Sequence, residues 1–216
     1  MKKLQEGVFE KGDKIYTIAA SSSRVYGEKF IEIDGETYRE WNPNRSKAAA
    51  AIKNGINIEL NSNNHLLYLG AASGTTVSHF SDILEEGFIY GVEYSDTVFR
   101  DLLELAEDRE NIAPFLDNAR KPENYGNLVS EVDIVFQDIS QRDQPEIFIR
   151  NCKRFLKKGG IGLLAVKARS ISSSEDKKVI YNEVKDKLSE EFRIIDETEL
   201  EPYEKDHLFL KLEKKN

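Results

Sequence analysis

Residues 66–79 read Leu66-Leu67-Tyr68-Leu69-Gly70-Ala71-Ala72-Ser73-Gly74-Thr75-Thr76-Val77-Ser78-His79. Four apolar residues run straight into seven small ones, and a helical pattern opens behind them. A short continuous apolar run suits a strand buried on both faces, and small residues let the chain reverse tightly from such a strand into a helix. Four more apolar runs follow at helix-length intervals: Phe88-Ile89-Tyr90-Gly91-Val92, Ile112-Ala113-Pro114-Phe115-Leu116, Val132-Asp133-Ile134-Val135-Phe136 and Ile161-Gly162-Leu163-Leu164-Ala165-Val166. Helices are predicted between them at about 76–86, 97–109 and 145–157. Lys157-Lys158-Gly159-Gly160 closes the last one, with bases on its C-terminal dipole and a glycine stop. A fourth helix is predicted after Ser172-Ser173-Ser174, capped by serine, with Glu175-Asp176 in its first turn and Val179, Ile180, Val184 and Leu188 as its apolar stripe. Alternating strands and helices build a doubly wound α/β sheet.

The end of the chain breaks this alternation. Phe192-Arg193-Ile194-Ile195-Asp196 and His207-Leu208-Phe209-Leu210-Lys211-Leu212 are two strands with no helix between them, so they are expected to pair antiparallel. Seven strands, the last one reversed, depart from the six-stranded dinucleotide fold and suit the fold of most methyltransferases that use S-adenosylmethionine (SAM). Residues 1–55 form a separate small β-rich unit with a linking helix, and residues 56–216 the larger domain. In the small unit, Asp34-Gly35 supplies the positive φ angles of a two-residue turn between Phe30-Ile31-Glu32-Ile33 and Glu36-Thr37-Tyr38-Arg39-Glu40-Trp41. Lys14-Ile15-Tyr16-Thr17-Ile18 is predicted as a third strand, and residues 46–54 as an alanine-rich helix stopped by Gly55.

The 216 residues carry 31 Lys+Arg against 39 Asp+Glu, a formal charge of −8. That balance excludes a protein that holds nucleic acid by bulk electrostatics alone. The charge is uneven: residues 82–117 hold eleven acids and two bases, a net −9, whereas residues 142–169 hold eight bases and two acids, a net +6. An acidic side and a basic side are expected. No run approaches the roughly 20 apolar residues of a membrane span, and no apolar leader follows Met1-Lys2-Lys3, so a cytoplasmic protein is expected. The single cysteine, Cys152, permits no internal disulfide and no cysteine-cluster metal site; its spacing with Phe148 and Phe155 places it on a buried helix face. No metal-spaced ligand set is seen.

The loop Gly70-Ala71-Ala72-Ser73-Gly74-Thr75-Thr76 lies where a doubly wound fold brings backbone amides to a cofactor, although small residues there also serve packing alone. Glu93 ends the second strand 23 positions after Gly70, where a carboxylate can accept from both hydroxyls of a ribose. An adenosine of either NAD or SAM would suit that pair. The three glycines of the dinucleotide fingerprint are not all present, however, and SAM has no pyrophosphate to cradle. Asp138 and Lys167 stand just past the fourth and fifth strands and are expected to project into the crevice at the carboxyl edge of the sheet. Lys47 opens the alanine-rich helix and His207 the last strand. His65 and His79 have weaker claims, one preceding a strand and the other lying inside a helix.

Five separated motifs, in order, carry a resemblance. Val25-Tyr26-Gly27-Glu28-Lys29, Trp41-Asn42-Pro43-Asn44-Arg45-Ser46-Lys47, the stretch from Tyr68 to His79, Val166-Lys167-Ala168 and Glu201-Pro202-Tyr203-Glu204-Lys205-Asp206-His207 together resemble the fibrillarin family of RNA 2′-O-methyltransferases. The resemblance implies SAM as cofactor and a Lys-Asp-Lys-His catalytic set at Lys47, Asp138, Lys167 and His207. For cofactor binding it implies Gly70, Ala71, Ala72, Ser73, Gly74, Thr75, Thr76, Glu93, Tyr94 where the family often has Phe, Asn118, Ala119, Asp138 and Gln141. The chain departs from the family at Asn118-Ala119, where Asp-Ala is usual, at Ser140-Gln141-Arg142-Asp143-Gln144, where Ala-Gln-Pro-Asp-Gln is usual, and at Asn44, which replaces a common Phe.

The implied activity is methylation of ribose in rRNA, and also in tRNA, directed by a box C/D guide RNA paired to the target RNA within a ribonucleoprotein. The implied partners are a Nop-domain scaffold protein and a kink-turn-binding ribosomal-type protein. The absence of a Gly/Arg-rich tail points to an archaeal-type member. A ribose hydroxyl is a poor nucleophile, so the expected mechanism has Lys167 and Lys47 holding the 2′-oxygen, Asp138 orienting Lys167, His207 steadying the ribose or the lysines, and Lys167 acting as base. Two rival readings are a non-catalytic assembly subunit and an NAD-dependent oxidoreductase on the same sheet.

Overall fold

Hairpins build the first 41 residues of the computed structural model, which describes residues 1–215. Strands β1 (Lys2–Gln5), β2 (Val8–Lys11), β3 (Lys14–Ile18), β4 (Phe30–Ile33) and β5 (Glu36–Trp41) form an antiparallel sheet in the order β1-β2-β3-β5-β4. The Asp34-Gly35 turn is present, with φ of 53° and 85°. Two strands exceed the expectation: β1 and β2 are short and partly charged, and they are joined through turns at Gly7 and Gly12, which carry φ of 66° and 65°. Helix α1 (Lys47–Lys53) follows, with Ala48 to Ile52 buried.

The second sheet comprises β6 (His65–Leu69), β7 (Phe88–Glu93), β8 (Ile112–Leu116), β9 (Val132–Gln137), β10 (Leu156–Lys167), β11 (Phe192–Glu199) and β12 (His207–Lys214), in the order β11-β12-β10-β9-β6-β7-β8. β12 is antiparallel to both its neighbours, and β10, β9, β6, β7 and β8 run parallel. The helices are α2 (Thr75–Ile83), α3 (Asp96–Glu107), the single turn α4 (Pro122–Tyr125), α5 (Gln144–Phe155), the single turn α6 (Ala168–Ile171) and α7 (Lys177–Leu188). This is the seven-stranded α/β fold expected, with the antiparallel unit ahead of it. No helix among the described residues is long and apolar enough to cross a membrane.

Local expectations are corrected at three helices. α2 stops at Ile83, three residues early. α5 stops at Phe155, and Lys157-Lys158-Gly159-Gly160 belong to β10 instead: Leu156 pairs with Val132, Lys157 Nζ reaches Asp133 Oδ1 at 2.6 Å, and the bulge between Leu156 and Ile161 takes up Gly159 at a φ of 68°. α7 is capped by Asp176, which accepts from Lys178 N, so its buried stripe is Ile180, Tyr181, Val184 and Leu188, and Val179 is 48% exposed. The basic stretch is also less basic than its count. Arg169 pairs with Asp206, Lys153 with Glu191 and Lys157 with Asp133, acids that lie far away in sequence.

The antiparallel sheet is fastened to the larger one by a buried polar network. Arg39 on β5 is fully buried and donates to Glu28 Oε1 at 2.6 Å and to Asp82 Oδ2 of α2 at 2.6 Å. Arg109 donates to the other oxygen of Asp82 at 2.8 Å. His79, also fully buried, stacks on Trp41 with ring centroids 4.8 Å apart, and its ring nitrogens lie 2.8 Å from Thr17 Oγ1 and Tyr26 Oη. Its role is structural.

Burial pushes the His79 imidazole well below its ordinary pKa, and the nearby Arg39 and Arg109 guanidinium groups add to this. His207 is lowered too, by burial first and then by Lys47. Unfolding restores both to about 6.5. Below that pH the unfolded chain therefore binds more protons than the folded one, and stability falls as pH falls. The melting temperature is expected to drop steadily from pH 7 to pH 5, and His79→Gln to remove most of that slope. A flat profile in the parent protein would contradict the assignment.

Candidate active site

The direction of the chain reverses between β6 and β9, the two central strands, and a crevice opens at their carboxyl ends. Gly70 follows β6 and Asp138 follows β9. A Cβ at Gly70, whose φ is 83°, would stand 2.3 Å from the Asp138 carbonyl oxygen, so glycine is what allows the two loops to approach. The opening of α2 is equally tight: Gly74, at a φ of 87°, lies under Leu105 of α3.

A cavity of about 330 Å³ occupies one side of this crevice, within the range of small-molecule sites. Gly70, Ala72, Glu93, Tyr94, Asn118, Ala119, Asp138 and Gln141 line it, as expected for cofactor residues. Val92, Ile139 and Ile147 supply an apolar wall, and Tyr94 stands 74% exposed at the rim. Glu93 is held rigidly: Oε1 accepts from Tyr94 N at 2.8 Å and Ser95 N at 2.7 Å, and Oε2 accepts from Ala72 N at 2.8 Å. A carboxylate has about four acceptor positions, so one remains, on Oε2, for a hydroxyl.

Ala71, Ser73, Gly74, Thr75 and Thr76 do not line the cavity; they shape the loop around it. Gly70 N and Ala71 N both donate to Val92 O, at 2.9 and 3.1 Å, and Gly74 N to Ala71 O at 3.0 Å. With Ala72 N on Glu93, most of the loop's early amides are spent within the protein. That is a poor cradle for a pyrophosphate and no obstacle to a sulfonium cofactor. Thr76 is buried, with its hydroxyl 2.9 Å from Ser46 Oγ. Ser46 caps α1 by accepting from Ala49 N, so the start of α1 is pinned to the start of α2.

That pinning delivers Lys47, whose Nζ lies 3.0 Å from Asp138 Oδ2. Asp138 therefore pairs with Lys47, whereas the sequence reading had it orienting Lys167. Lys167 has no ion-pair partner among the described residues, and it lies directly opposite His207 in the β10–β12 ladder. Because Ala168 N donates to Asp206 O, the Lys167–His207 pair is of the non-hydrogen-bonded kind, the one that brings facing side chains closest. His207 Nδ1 sits 2.6 Å from Lys205 O and must carry the proton in that contact. Nε2 is then a bare acceptor, buried without a partner, and the lowered pKa keeps the ring neutral at pH 7. Tyr68 lies beneath, its phenol pushed up by burial and by the Asp138 carboxylate. Asp138 thus belongs both to the cavity and to the cluster of cationic groups beside it.

Sequence reasoning passed over Asp117 and Arg120, which also line the cavity. Arg120 reaches Gln141 Oε1 at 2.9 Å and forms a bidentate pair with Asp143, tying together the loops after β8 and β9. Asn118 is turned to local work, its Oδ1 accepting from Arg120 N at 3.0 Å. The acid next to it, Asp117, was one position away from the expected site. No group of three or more His, Cys, Asp or Glu side chains among the described residues is placed to hold a metal ion.

Comparison with known proteins follows the same lines. The family described as Fibrillarin matches residues 2–216. The fibrillarin-like rRNA/tRNA 2′-O-methyltransferase of Methanocaldococcus jannaschii is 45% identical over 216 residues, covering 96% of this chain and 94% of that protein. Among solved structures, the fibrillarin of a fibrillarin/Nop5p complex superimposes with a TM-score of 0.93 at 44% identity, covering 99% of this chain and all of that one. Aeropyrum pernix fibrillarin with natively bound SAM superimposes with a TM-score of 0.84 at 44% identity, covering 92% of this chain and 88% of that one.

Proposed function

The chain belongs to the fibrillarin family, and from that membership we propose how its residues carry out the family's reaction and with which partners. It is a SAM-dependent RNA 2′-O-methyltransferase that works within a ribonucleoprotein. SAM supplies a methyl group already activated on a sulfonium. The residues present fit that cofactor: a fixed carboxylate at Glu93 for ribose hydroxyls, an exposed aromatic face at Tyr94, and an apolar wall of Val92, Ala119, Ile139 and Ile147.

The observation that carries the reading is the position of Asp138, which lines the cavity and pairs with Lys47 at 3.0 Å. Whatever Lys47 and Lys167 hold lies next to the bound cofactor. Lys47, steadied by Asp138, and Lys167 hold the target ribose oxygen and stabilise the negative charge that develops on it. Lys167 takes up the hydroxyl proton, and His207 Nε2, facing it across the strand pair, is the neutral acceptor beside it. The dinucleotide reading lacks its phosphate cradle.

RNA is the harder part for a chain of charge −8. With three of the basic residues in 142–169 neutralised by distant acids, the free surface offers few phosphate contacts. The chain therefore acts beside partners that hold the RNA: a box C/D guide paired to its target, a Nop-domain scaffold protein, and a kink-turn-binding ribosomal-type protein on the guide. The test is transfer of tritium from labelled SAM to an RNA paired with a box C/D guide, with and without the two partner proteins. Efficient transfer is expected only in the complete assembly, and binding of bare RNA is expected to be weak and steeply salt-dependent. Full activity of the isolated chain would overturn the dependence on partners.

A further inference from the structure

We propose that Gln144 is a positioning residue for Lys167, its side-chain amide standing in for a strand that ends too early. This rests on the reading of Lys167 given above. β9 ends at Gln137, which is paired with Leu164 of β10, so Lys167 extends three residues beyond its parallel neighbour. On the other side it faces His207 as a non-hydrogen-bonded pair, which turns both its N–H and its C=O toward the vacated β9 side. A lysine there would hang from an untethered backbone.

Gln144, the first residue of α5 and fully buried, fills that gap. Its Oε1 accepts from Lys167 N at 3.0 Å, and its Nε2 donates to Lys167 O at 3.1 Å. One primary amide thus presents the donor and acceptor that another strand residue would have presented. Gln144 is itself held, because Gln137 Nε2 donates to its backbone oxygen at 2.8 Å. Ala168 N donating to Asp206 O at 3.0 Å closes the other side. The lysine is therefore the last residue of a strand clasped from both sides, and the glutamine that clasps it touches neither the cavity nor the reacting groups.

The test is the single-turnover rate of methyl transfer in the assembled particle, measured for Gln144→Met, Lys167→Ala and the double variant, with SAM and RNA affinities and melting temperatures measured alongside. Gln144→Met is expected to slow transfer tenfold or more, with both affinities within twofold of the parent. In the Lys167→Ala background the same change is expected to alter the residual rate by less than twofold, because Gln144 acts through the lysine. A purely structural glutamine would lower the rate by the same factor in both backgrounds, and that result would overturn the proposal. So would a Gln144→Met rate within twofold of the parent. Near-normal transfer by Lys167→Ala would sink the reading of Lys167 itself, and this inference with it; an inactive Lys167→Ala beside a fully active Gln144→Met would sink this inference alone. Gln144→Glu keeps the shape and the acceptor but, when ionised, lacks the donor to Lys167 O. It carries the same expectation should Gln144→Met not fold.

Discussion

Lys167→Ala is expected to slow methyl transfer by about two to four orders of magnitude, the range a positioned proton-transfer group contributes. SAM affinity is expected to stay within twofold. The separation follows from the geometry: Lys167 closes β10 and faces His207, whereas the cavity is lined by the loops after β6, β7, β8 and β9. Losing its amine removes a cation and a proton acceptor from the cluster but no wall of the cofactor site. Single-turnover transfer in the assembled particle, with calorimetry of SAM on the same preparation, reads both quantities. Near-normal turnover would contradict the role, and a large loss of SAM affinity would contradict the separation of the two halves of the site. Asp138, which serves both halves, is expected to lower both quantities when changed to Ala.

The second large effect is on stability. Arg39→Met is expected to destabilise the fold by about 3–5 kcal/mol, the usual cost of removing one partner from a buried ion pair. The cost comes from what is left behind. Glu28 would lose its only cationic partner, its carboxylate being otherwise held by the N–H groups of Val25 and Tyr26, and Asp82 would keep only Arg109. Arg39→Lys is expected to rescue little, since one ammonium cannot reach both carboxylates and the carbonyl and hydroxyl of Ser78 in the manner of a guanidinium fork. Urea unfolding measures the loss, and a change below about 1 kcal/mol would show that the network is not the fastening claimed for it. The loss would also reach the active site. Arg39 anchors β5 to α2, the start of α2 holds Ser46 through Thr76, and Ser46 opens the helix that carries Lys47.

Much of this was legible in the chain. The alternation of apolar runs with helical patterns located every strand of the large sheet, and the missing helix before His207 revealed the reversed strand. Lys47, Asp138, Lys167 and His207 could be placed at element boundaries, because strand ends and helix starts are visible as changes of period. What escaped was set by contacts remote in sequence. β1 and β2 are four-residue hairpin arms with charged side chains, too short for alternation to stand out. The pairing of Asp138 with Lys47 depends on a hydroxyl contact between Ser46 and Thr76, thirty residues apart. The basic stretch lost its free charge to Asp133, Glu191 and Asp206, none of them within it. Gln144 was invisible for a related reason: a glutamine in the first turn of a helix has no pattern, and only the premature end of β9 gives it a task.

The central claim is that the crevice places a ribose 2′-hydroxyl, held by Lys47 and Lys167, against the cofactor cavity through Asp138. The most direct measurement is methyl transfer in the assembled particle to two guide-paired target RNAs that differ only at the target nucleotide, one with ribose and one with 2′-deoxyribose there. Transfer to the first and none above background to the second is the expected result. Equal incorporation into both would place the methyl on another atom and contradict the account.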